Sequence, residues 1–222
     1  MTRLTRMLTT LWVLSLPLSS AWADNKTGFY VSLAPTLTSP TQNPTKLDLV
    51  KVIDTNLTEP TISGQNAKFK MKVGLGINGE VGYKWRSNVR TGLEVGYRKT
   101  DLDQVQSAAG NALADGEIET TTVFFNLAYD FDNEEGPAPY IFGGLGGGYH
   151  ELNLRSIGNT TIGQSSDDFT FAYQAGFGFY KPLNDFIDAG LGYRFVWSND
   201  QGFGFASTEM GIHHLELTFR LY

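Results

Sequence analysis

The sequence predicts an all-β protein, an eight-stranded antiparallel up-and-down barrel that spans a membrane. Three observations support this fold class. Apolar residues alternate with small or polar residues in eight segments, the connections are alternately short and long, and large aromatic residues lie near the segment ends. A period of two residues is typical of a β-strand whose faces meet different surroundings. Because none of the 222 residues is cysteine, the fold must form without disulfides.

Residues 1–23 have the three parts of a secretory signal peptide. They begin with a positive charge, continue with an apolar stretch from Leu8 to Leu18, and end in the small-residue motif A-W-A at Ala23. The apolar stretch is shorter than the roughly 20 residues of a membrane-spanning helix. We therefore expect cleavage, with a retained anchor as the alternative, and we assign residues 24–222 to the barrel domain.

The charge of the remaining chain excludes one class of partner. Removal of the two arginines in the signal segment leaves 15 basic and 23 acidic residues, a net charge of −8. Nucleic-acid binding depends on a basic surface, so we expect no nucleic-acid partner. No later apolar run approaches about 20 residues, so the sequence predicts no transmembrane helix.

The stretch Lys68–Trp85 contains a glycine pattern that suggests two different structures. Residues 74–79 match G-x-G-x-x-G, the motif of a dinucleotide-binding turn. That turn needs a buried strand before it and a helix after it, whereas here the apolar odd positions continue through the glycines. The Asn78-Gly79 pair is a hairpin signal, but the unbroken alternation favours one long strand. Its inward glycines leave room for charged neighbours: Gly74, Gly76 and Gly82.

Seven further segments show the same alternation and complete the predicted barrel. They are Phe29–Ala34, Val89–Arg98, Thr122–Phe131, Tyr140–Tyr149, Phe169–Phe179, Ile187–Trp197 and His214–Leu221. Most are close to the roughly 9–11 residues of a tilted membrane strand. The glycine-rich segment at 140–149 has the weakest alternation, and we assign Ile141, Leu145 and Tyr149 to its apolar face.

The connections predict which end of the barrel faces the periplasm. The short ones are residues 86–88, 132–137 and 181–185, and the long polar ones are residues 36–67, 99–117, 151–167 and 198–208. Short periplasmic turns and four longer extracellular loops are typical of an outer-membrane barrel with both termini in the periplasm. Within the first loop, residues 47–53 are apolar enough to form either a strand extension or a short helix.

The size of the side chains predicts which face points inward. Eight strands enclose a space only wide enough for side chains to fill it, so the face rich in Phe, Tyr, Trp and Leu must point outward. Such an exterior would aggregate in water, so its surroundings must be lipid. The outward aromatic residues form two predicted girdles: Tyr83, Trp85, Tyr129, Phe131, Phe179 and Tyr222 near the short turns, and Tyr97, Tyr149, Phe169, Phe171 and Trp197 near the long loops.

The second half of the chain resembles the opacity-type, or surface-antigen, family of small outer-membrane β-barrels. The resemblance rests on FAYQAGFGFYKPLNDFIDAGLGYRF at 171–195, NLAYDF at 126–131, PYIFGGLGGG at 139–148 and the closing HHLELTFRLY. The first half matches by pattern only. The resemblance implies a surface protein linked with adhesion, host contact or envelope integrity, without a shared catalytic site.

The last strand carries an expected assembly signal for the barrel-assembly machinery. Family members usually end in aromatic-x-aromatic, whereas here Leu221 is in phase and Tyr222 is one step out of phase. We assign the signal to Leu215, Leu217, Phe219, Leu221 and Tyr222.

Ten inward positions carry charge, five acidic and five basic, so the lumen can neutralise itself. They are Glu80, Lys84, Arg90, Glu94, Arg98, Asp130, Asp188, Arg194, Glu216 and Arg220. Isolated buried charges are costly, whereas paired and hydrogen-bonded ones are tolerated. We expect a structural ion-pair network that plugs the barrel, with a gated pore as the alternative.

The histidines provide a test of an enzymatic alternative, since some small outer-membrane barrels modify lipid A. His213 and His214 are adjacent, so on a strand they face opposite sides, and His150 is far away in sequence. No serine lies two residues from His213 or His214, and no third metal ligand has useful spacing. We therefore expect no catalytic residue, cofactor or metal.

The expected function is surface contact, adhesion or envelope integrity through the loops, in the outer membrane of a Gram-negative cell. The expected partners are outer-membrane lipids and lipopolysaccharide, the assembly machinery, and host or surface ligands of the loops, with the chain monomeric. A narrow porin-like channel and a lipid A-modifying enzyme are the alternative functions.

Overall fold

The computed structural model describes residues 26–41, 44–48, 63–107, 110–131, 136–157, 160–203 and 206–222. The predicted signal segment lies outside these residues, as do residues 49–53 of the first loop and most of the turn at 132–137. None of the described residues belongs to a helix long and apolar enough to cross a membrane.

The described residues form ten strands, eight of which close an antiparallel barrel. The strands are β1 (Gly28–Pro40), β2 (Pro44–Asp48), β3 (Ser63–Met71), β4 (Gly74–Lys84), β5 (Val89–Ser107), β6 (Gly110–Asp130), β7 (Ala138–Ile157), β8 (Thr160–Pro182), β9 (Ile187–Phe203) and β10 (Ala206–Leu221). Closure comes from β1, which pairs with both β4 and β10. The predicted fold class is confirmed.

Side-chain exposure alternates along the barrel strands as the sequence predicts. Leu93 is 51% exposed on the outside, whereas its neighbour Glu94 is 2% exposed in the lumen. The glycine-rich β7 follows the predicted assignment, because Ile141, Leu145 and Tyr149 are all exposed. The apolar face therefore points outward between the two groups of aromatic residues.

The predicted single strand at 68–85 is wrong in one detail. Residues 72–73 separate β3 from β4, while Asn78 and Gly79 lie inside β4 without a turn. The break adjoins a register shift, because Lys70 pairs with Gln104 but Met71 pairs with Leu102. An extra residue in β5 thus forms a bulge, which a parity count within one strand does not detect.

The long loops are also mispredicted, because most of their residues continue the strands. Three pairs of consecutive strands are separated by only two residues. β5 ends at 107 and β6 begins at 110, β7 ends at 157 and β8 begins at 160, and β9 ends at 203 and β10 begins at 206. In the first loop, β2 and β3 pair with each other. In these extensions the outward face turns polar and the inner face buries Leu102, Leu152 and Leu154, so the alternation that locates the lipid-facing strands reverses there.

Charge on the outward face should be costly only at membrane depth. We expect Leu93→Arg to destabilise the barrel by about 2–4 kcal/mol, because Leu93 lies mid-strand on the lipid-facing side. The measurement is the free energy of unfolding by guanidinium in lipid vesicles. Leu113→Arg is the matched control, since Leu113 is 70% exposed but lies well beyond the extracellular aromatic residues. Equal stability of both variants and the wild type would contradict the assigned facing.

Candidate functional site

The structure places all ten predicted lumen charges inside the barrel. Eight are buried, and Glu80 and Lys84 are partly buried. Each comes from the small-residue face of its strand, so strand parity alone carries it inward. They form a periplasmic, a central and an outer group.

The periplasmic group is built around Asp130, a single carboxylate shared by three cations. Arg90 Nε donates to both Asp130 oxygens at 2.8 and 3.0 Å. Lys84 Nζ lies 3.0 Å from Asp130 Oδ2, and Arg220 Nη1 lies 3.5 Å from it. Nearby, Lys26 Nζ pairs with Asp188 at 2.5 Å. Lys26 precedes the first strand, so the alternation of residues did not identify it.

The central group joins charges through neutral amides. Arg194 pairs with Glu94, and its Nη2 lies 3.0 Å from Glu216. Asn126 Nδ2 donates to Glu80 at 2.6 Å and to Glu94 at 3.3 Å. Because the amide contacts both carboxylates, it links charges that belong to different strands. Asn126 occupies an inward position but carries no charge, so the list of inward charges did not include it.

The outer group contains an arginine whose described partners are neutral. Arg98 donates from Nη1 to His214 Nε2 at 3.0 Å and from Nη2 to Thr122 Oγ1 at 3.1 Å. An arginine can only donate, so His214 Nε2 accepts, and His214 Nδ1 donates to Thr38 Oγ1 at 3.0 Å. No described carboxylate lies within 4.0 Å of Arg98. His214 thus serves as a hydrogen-bond relay between Arg98 and Thr38.

The two adjacent histidines face opposite sides, as predicted. His213 lies on the outside, where its Nδ1 is 2.5 Å from the Tyr193 hydroxyl, while His214 is buried in the lumen. His150 is held separately between Thr120 and Thr170 at 3.0 and 3.1 Å. The described histidines therefore do not share a site.

Three buried tyrosines complete the periplasmic group and were missed by the sequence analysis. The Arg220 guanidinium carbon lies 3.6 Å from the ring centroid of Tyr180, and that of Arg90 lies 5.5–5.7 Å from the centroids of Tyr30, Tyr140 and Tyr180. Cations over aromatic faces gain stability where water is excluded. All three tyrosines occupy inward positions by parity, so the alternation could have identified them.

Each of these tyrosines lies against a glycine of a neighbouring strand. A Cβ on Gly82, Gly178 or Gly190 would lie 2.5–2.6 Å from a ring atom of Tyr30, Tyr140 or Tyr180, respectively. The expectation that Gly82 makes room for a charge is therefore wrong, because it makes room for an aromatic ring. Gly76 fits the expectation in part, since a Cβ added there would meet Thr36 and Arg98. Gly74 does not fit it, because a Cβ added there would meet Thr100.

Tyr222 does not belong to the outward girdle to which the sequence analysis assigned it. Its hydroxyl accepts a hydrogen bond from Arg220 Nη1 at 2.9 Å, and its ring centroid lies 6.2 Å from that of Tyr30. Being one residue out of phase, it points toward the lumen mouth. The other residues of the expected assembly signal are exposed on the outside: Leu215, Leu217, Phe219 and Leu221. Recognition of this end by the assembly machinery stays a prediction.

The lumen cavity is small for a channel. Its volume is about 30 Å³, room for only about two or three water molecules. Charged and aromatic side chains from the periplasmic and central groups line it, among them Arg90, Arg194 and Tyr140. The interior at this level is filled mainly by side chains.

A second polar region lies outside the membrane, where β5 to β8 continue past the extracellular aromatic residues. We call this part, residues 99–107, 110–119, 151–157 and 160–167, the outer sheet. On its outward face Lys99 pairs with Glu117 at 2.8 Å and with Glu119 at 3.1 Å. The hydrogen bond from Lys99 holds the pKa of the Glu117 carboxyl below its usual value, and Arg155, at 3.1 Å from Glu117, contributes to the same shift.

Removal of the shared carboxylate should leave two buried arginines and one partly buried lysine without their common partner. We expect Asp130→Asn to lower the free energy of unfolding by about 3–5 kcal/mol, the usual cost of breaking a buried ion pair from one side. Guanidinium unfolding in lipid vesicles measures this change. The control is Asp101→Asn, an exposed position on the outer sheet, which should change stability by less than about 0.5 kcal/mol. If the free energy of unfolding of Asp130→Asn equals that of the wild type, the periplasmic group does not stabilise the barrel as we expect.

Comparisons with known proteins agree with this architecture. Residues 8–219 match the family model described as outer membrane protein beta-barrel domain. Neisserial surface protein A is 14% identical, with a TM-score of 0.52, over 87% of this chain and 96% of that one. Ail of Yersinia pestis, solved with a heparin analogue, is 14% identical, with a TM-score of 0.49, over 88% of this chain and 99% of that one. OprG of Pseudomonas aeruginosa is 12% identical, with a TM-score of 0.47 over 88% and 96%.

No curated protein matches the sequence. At 14% identity, Neisserial surface protein A supports the fold alone, while the family model spans nearly the whole chain. The expected resemblance to small surface-antigen barrels is confirmed at the level of this family. The chain therefore belongs to the outer-membrane β-barrel family, and its place is the outer membrane of a Gram-negative cell.

Proposed function

We propose that the protein is a non-catalytic surface protein that makes contact with other surfaces through its outer sheet. The outer sheet itself is the main support for this proposal. β7 continues from Tyr149 to Ile157 beyond the extracellular aromatic residues, about 25 Å of strand at roughly 3.4 Å per residue. Binding residues commonly lie on segments that a rigid scaffold presents to solvent. A β-sheet held by a barrel is such a scaffold.

The remaining partners follow from the surfaces of the barrel. Its apolar exterior fits the acyl chains of outer-membrane lipids and lipopolysaccharide, and its last strand serves as the signal for the barrel-assembly machinery. The protein acts as a monomer, because the outward face of the barrel meets lipid around its whole circumference. A role in envelope integrity is compatible with the same surfaces.

The contents of the lumen favour surface contact over transport. A cavity of about 30 Å³ cannot hold a hydrated ion with its shell of waters. The periplasmic and central groups are also joined across strands, since Arg90 Nη1 lies 4.0 Å from Glu80, so an opening requires several ion pairs to separate together. The porin-like alternative therefore lacks support from the geometry of the lumen.

A closed lumen should be visible in electrical recordings. We expect the wild-type protein in planar lipid bilayers to give no steady single-channel current, because side chains fill its interior. A water-filled trimeric porin in the same bilayers is the positive control, and heat-dependent gel mobility verifies that the protein is folded. Large, steady openings at low voltage would contradict the plugged lumen.

Shortening the outer sheet should remove surface contact without removing the barrel. We expect cells in which residues 151–167 are replaced by an Asn-Gly turn to lose attachment to host-cell or abiotic surfaces, because this variant lacks the part of β7 and β8 that lies in the outer sheet. The measurement is the number of attached cells at equal amounts of folded protein in the outer membrane. Asp185→Lys, in a periplasmic turn, is the control and should attach normally. Unchanged attachment of the shortened variant would refute the proposed function.

A further inference from the structure

β8 has a free edge in the outer sheet. The strand runs from Thr160 to Pro182, but its ladder with β9 ends at the pair Ala172↔Ser198. Beyond that pair, β9 continues to Phe203 and pairs with β10 alone among the described strands. β8 above Ala172 therefore pairs only with β7 in the described part of the chain. Such an edge presents backbone N–H and C=O groups to any extended chain that reaches it.

A row of charges on the outward face ends at this edge. The register aligns Lys99, Glu119, Glu151 and Asp167 side by side across β5, β6, β7 and β8. Lys99 pairs with Glu119, whereas Glu151 and Asp167 form no ion pair with any described residue. Asp167 only accepts a hydrogen bond from the Tyr149 hydroxyl at 2.8 Å. Like charges on adjacent strands are unfavourable. On a further strand added beside β8, the position next to Asp167 therefore favours a cation.

A second row, two residues nearer the membrane, is largely aromatic. It aligns Tyr97, Thr121, Tyr149 and Phe169 across the same strands. Phe169, the last of them, is 70% exposed and has no neighbour on its far side among the described strands. Aromatic residues pair well with aromatic or β-branched residues on an adjacent strand. The next position in this row therefore favours an aromatic or apolar side chain.

We propose that the free edge of β8 binds an extended segment of a partner protein by strand addition. Because the two rows are two residues apart on every strand, the segment carries a Lys or Arg two residues from an aromatic or apolar residue. Backbone hydrogen bonds to β8 supply affinity, and these two side chains supply specificity. This inference rests on the proposed function, since it names the class of partner that the outer sheet contacts.

Charge distinguishes this occupant from a second copy of the chain. Residues 160–171 contain Asp167 and Asp168 but no lysine or arginine, and residues 199–203 of β9 contain an aspartate and no cation. Two copies joined through these edges would therefore bring acidic residues together without a counter-charge. A basic segment of a different protein meets the charge requirement of the edge.

The test uses the full-length folded protein in lipid nanodiscs with synthetic peptides. The probe is Thr-Lys-Thr-Phe-Thr-Lys-Thr, whose symmetry presents a cation beside the phenylalanine in either strand direction. One control peptide has Glu in place of both lysines, and another keeps the side chains but has N-methylated backbone amides. Fluorescence anisotropy measures binding, and hydrogen exchange of residues 165–171 locates it.

We expect the lysine peptide to bind and to protect residues 165–171, with the glutamate peptide about tenfold weaker. The N-methylated peptide should not bind, because it cannot add to the ladder. Asp167→Lys should reverse the preference between the lysine and glutamate peptides. Asp101→Lys, the same change on the outer sheet but away from the edge, should leave it unaltered.

Equal binding of the N-methylated peptide would overturn strand addition, and equal binding of the glutamate peptide would overturn the charge requirement. If residues 165–171 are protected without peptide and Lys51→Glu removes this protection, the chain's own first loop occupies the edge. If dilution removes the protection, a second copy of the chain occupies it. Either result would overturn the inference. Normal attachment of Asp167→Lys cells, with attachment lost on shortening the sheet, would refute this inference alone. Peptide binding as expected, with normal attachment of the shortened variant, would refute only the proposed function.

Discussion

The narrow interior of an eight-stranded barrel is the constraint on which the rest of the structure depends. Such an interior holds one layer of side chains, so large residues on both faces of every strand cannot be accommodated. The chain meets this constraint by putting glycine opposite several of the large inward side chains. The contacts of Tyr30 with Gly82 and of Tyr180 with Gly190 are direct examples. The bulky residues excluded from the interior then form the surface that lipid solvates.

The same narrowness forces the inward charges into contact with one another. Asp130 serves three cations, and Arg194 lies between two glutamates. Where no carboxylate of the described residues is within reach, as at Arg98, a histidine and a threonine accept the hydrogen bonds. Charges held in this way have most of their hydrogen-bonding capacity taken up by one another inside the barrel. They leave the solvent-exposed strands as the part of the molecule free to interact with other molecules.

Outside the membrane the selection on side chains is different, but the backbone ladder continues. There the outward face carries charges such as Lys99 and Glu117. The inner face buries Leu102, Leu152 and Leu154, and the backbone ladder runs on through the same strands. The ladder between β8 and β9 stops earlier than the others. Among the described strands, the result is a sheet with an open edge at β8, a structure that a flexible loop of the same composition would not provide.

The sequence by itself determined the facing of most barrel residues, because facing depends only on parity within a strand. Ile141 points outward and Glu94 inward for this local reason, and the lipid-facing exterior follows. Only the tertiary structure decided which residues meet across the lumen, since that depends on the register between strands distant in sequence. Register produces three features of this kind. Asp130 meets cations from three strands, the inward tyrosines lie against glycines, and the acidic row ends at β8. A parity count cannot contain this information, because sliding one strand by two residues preserves every facing and changes every neighbour.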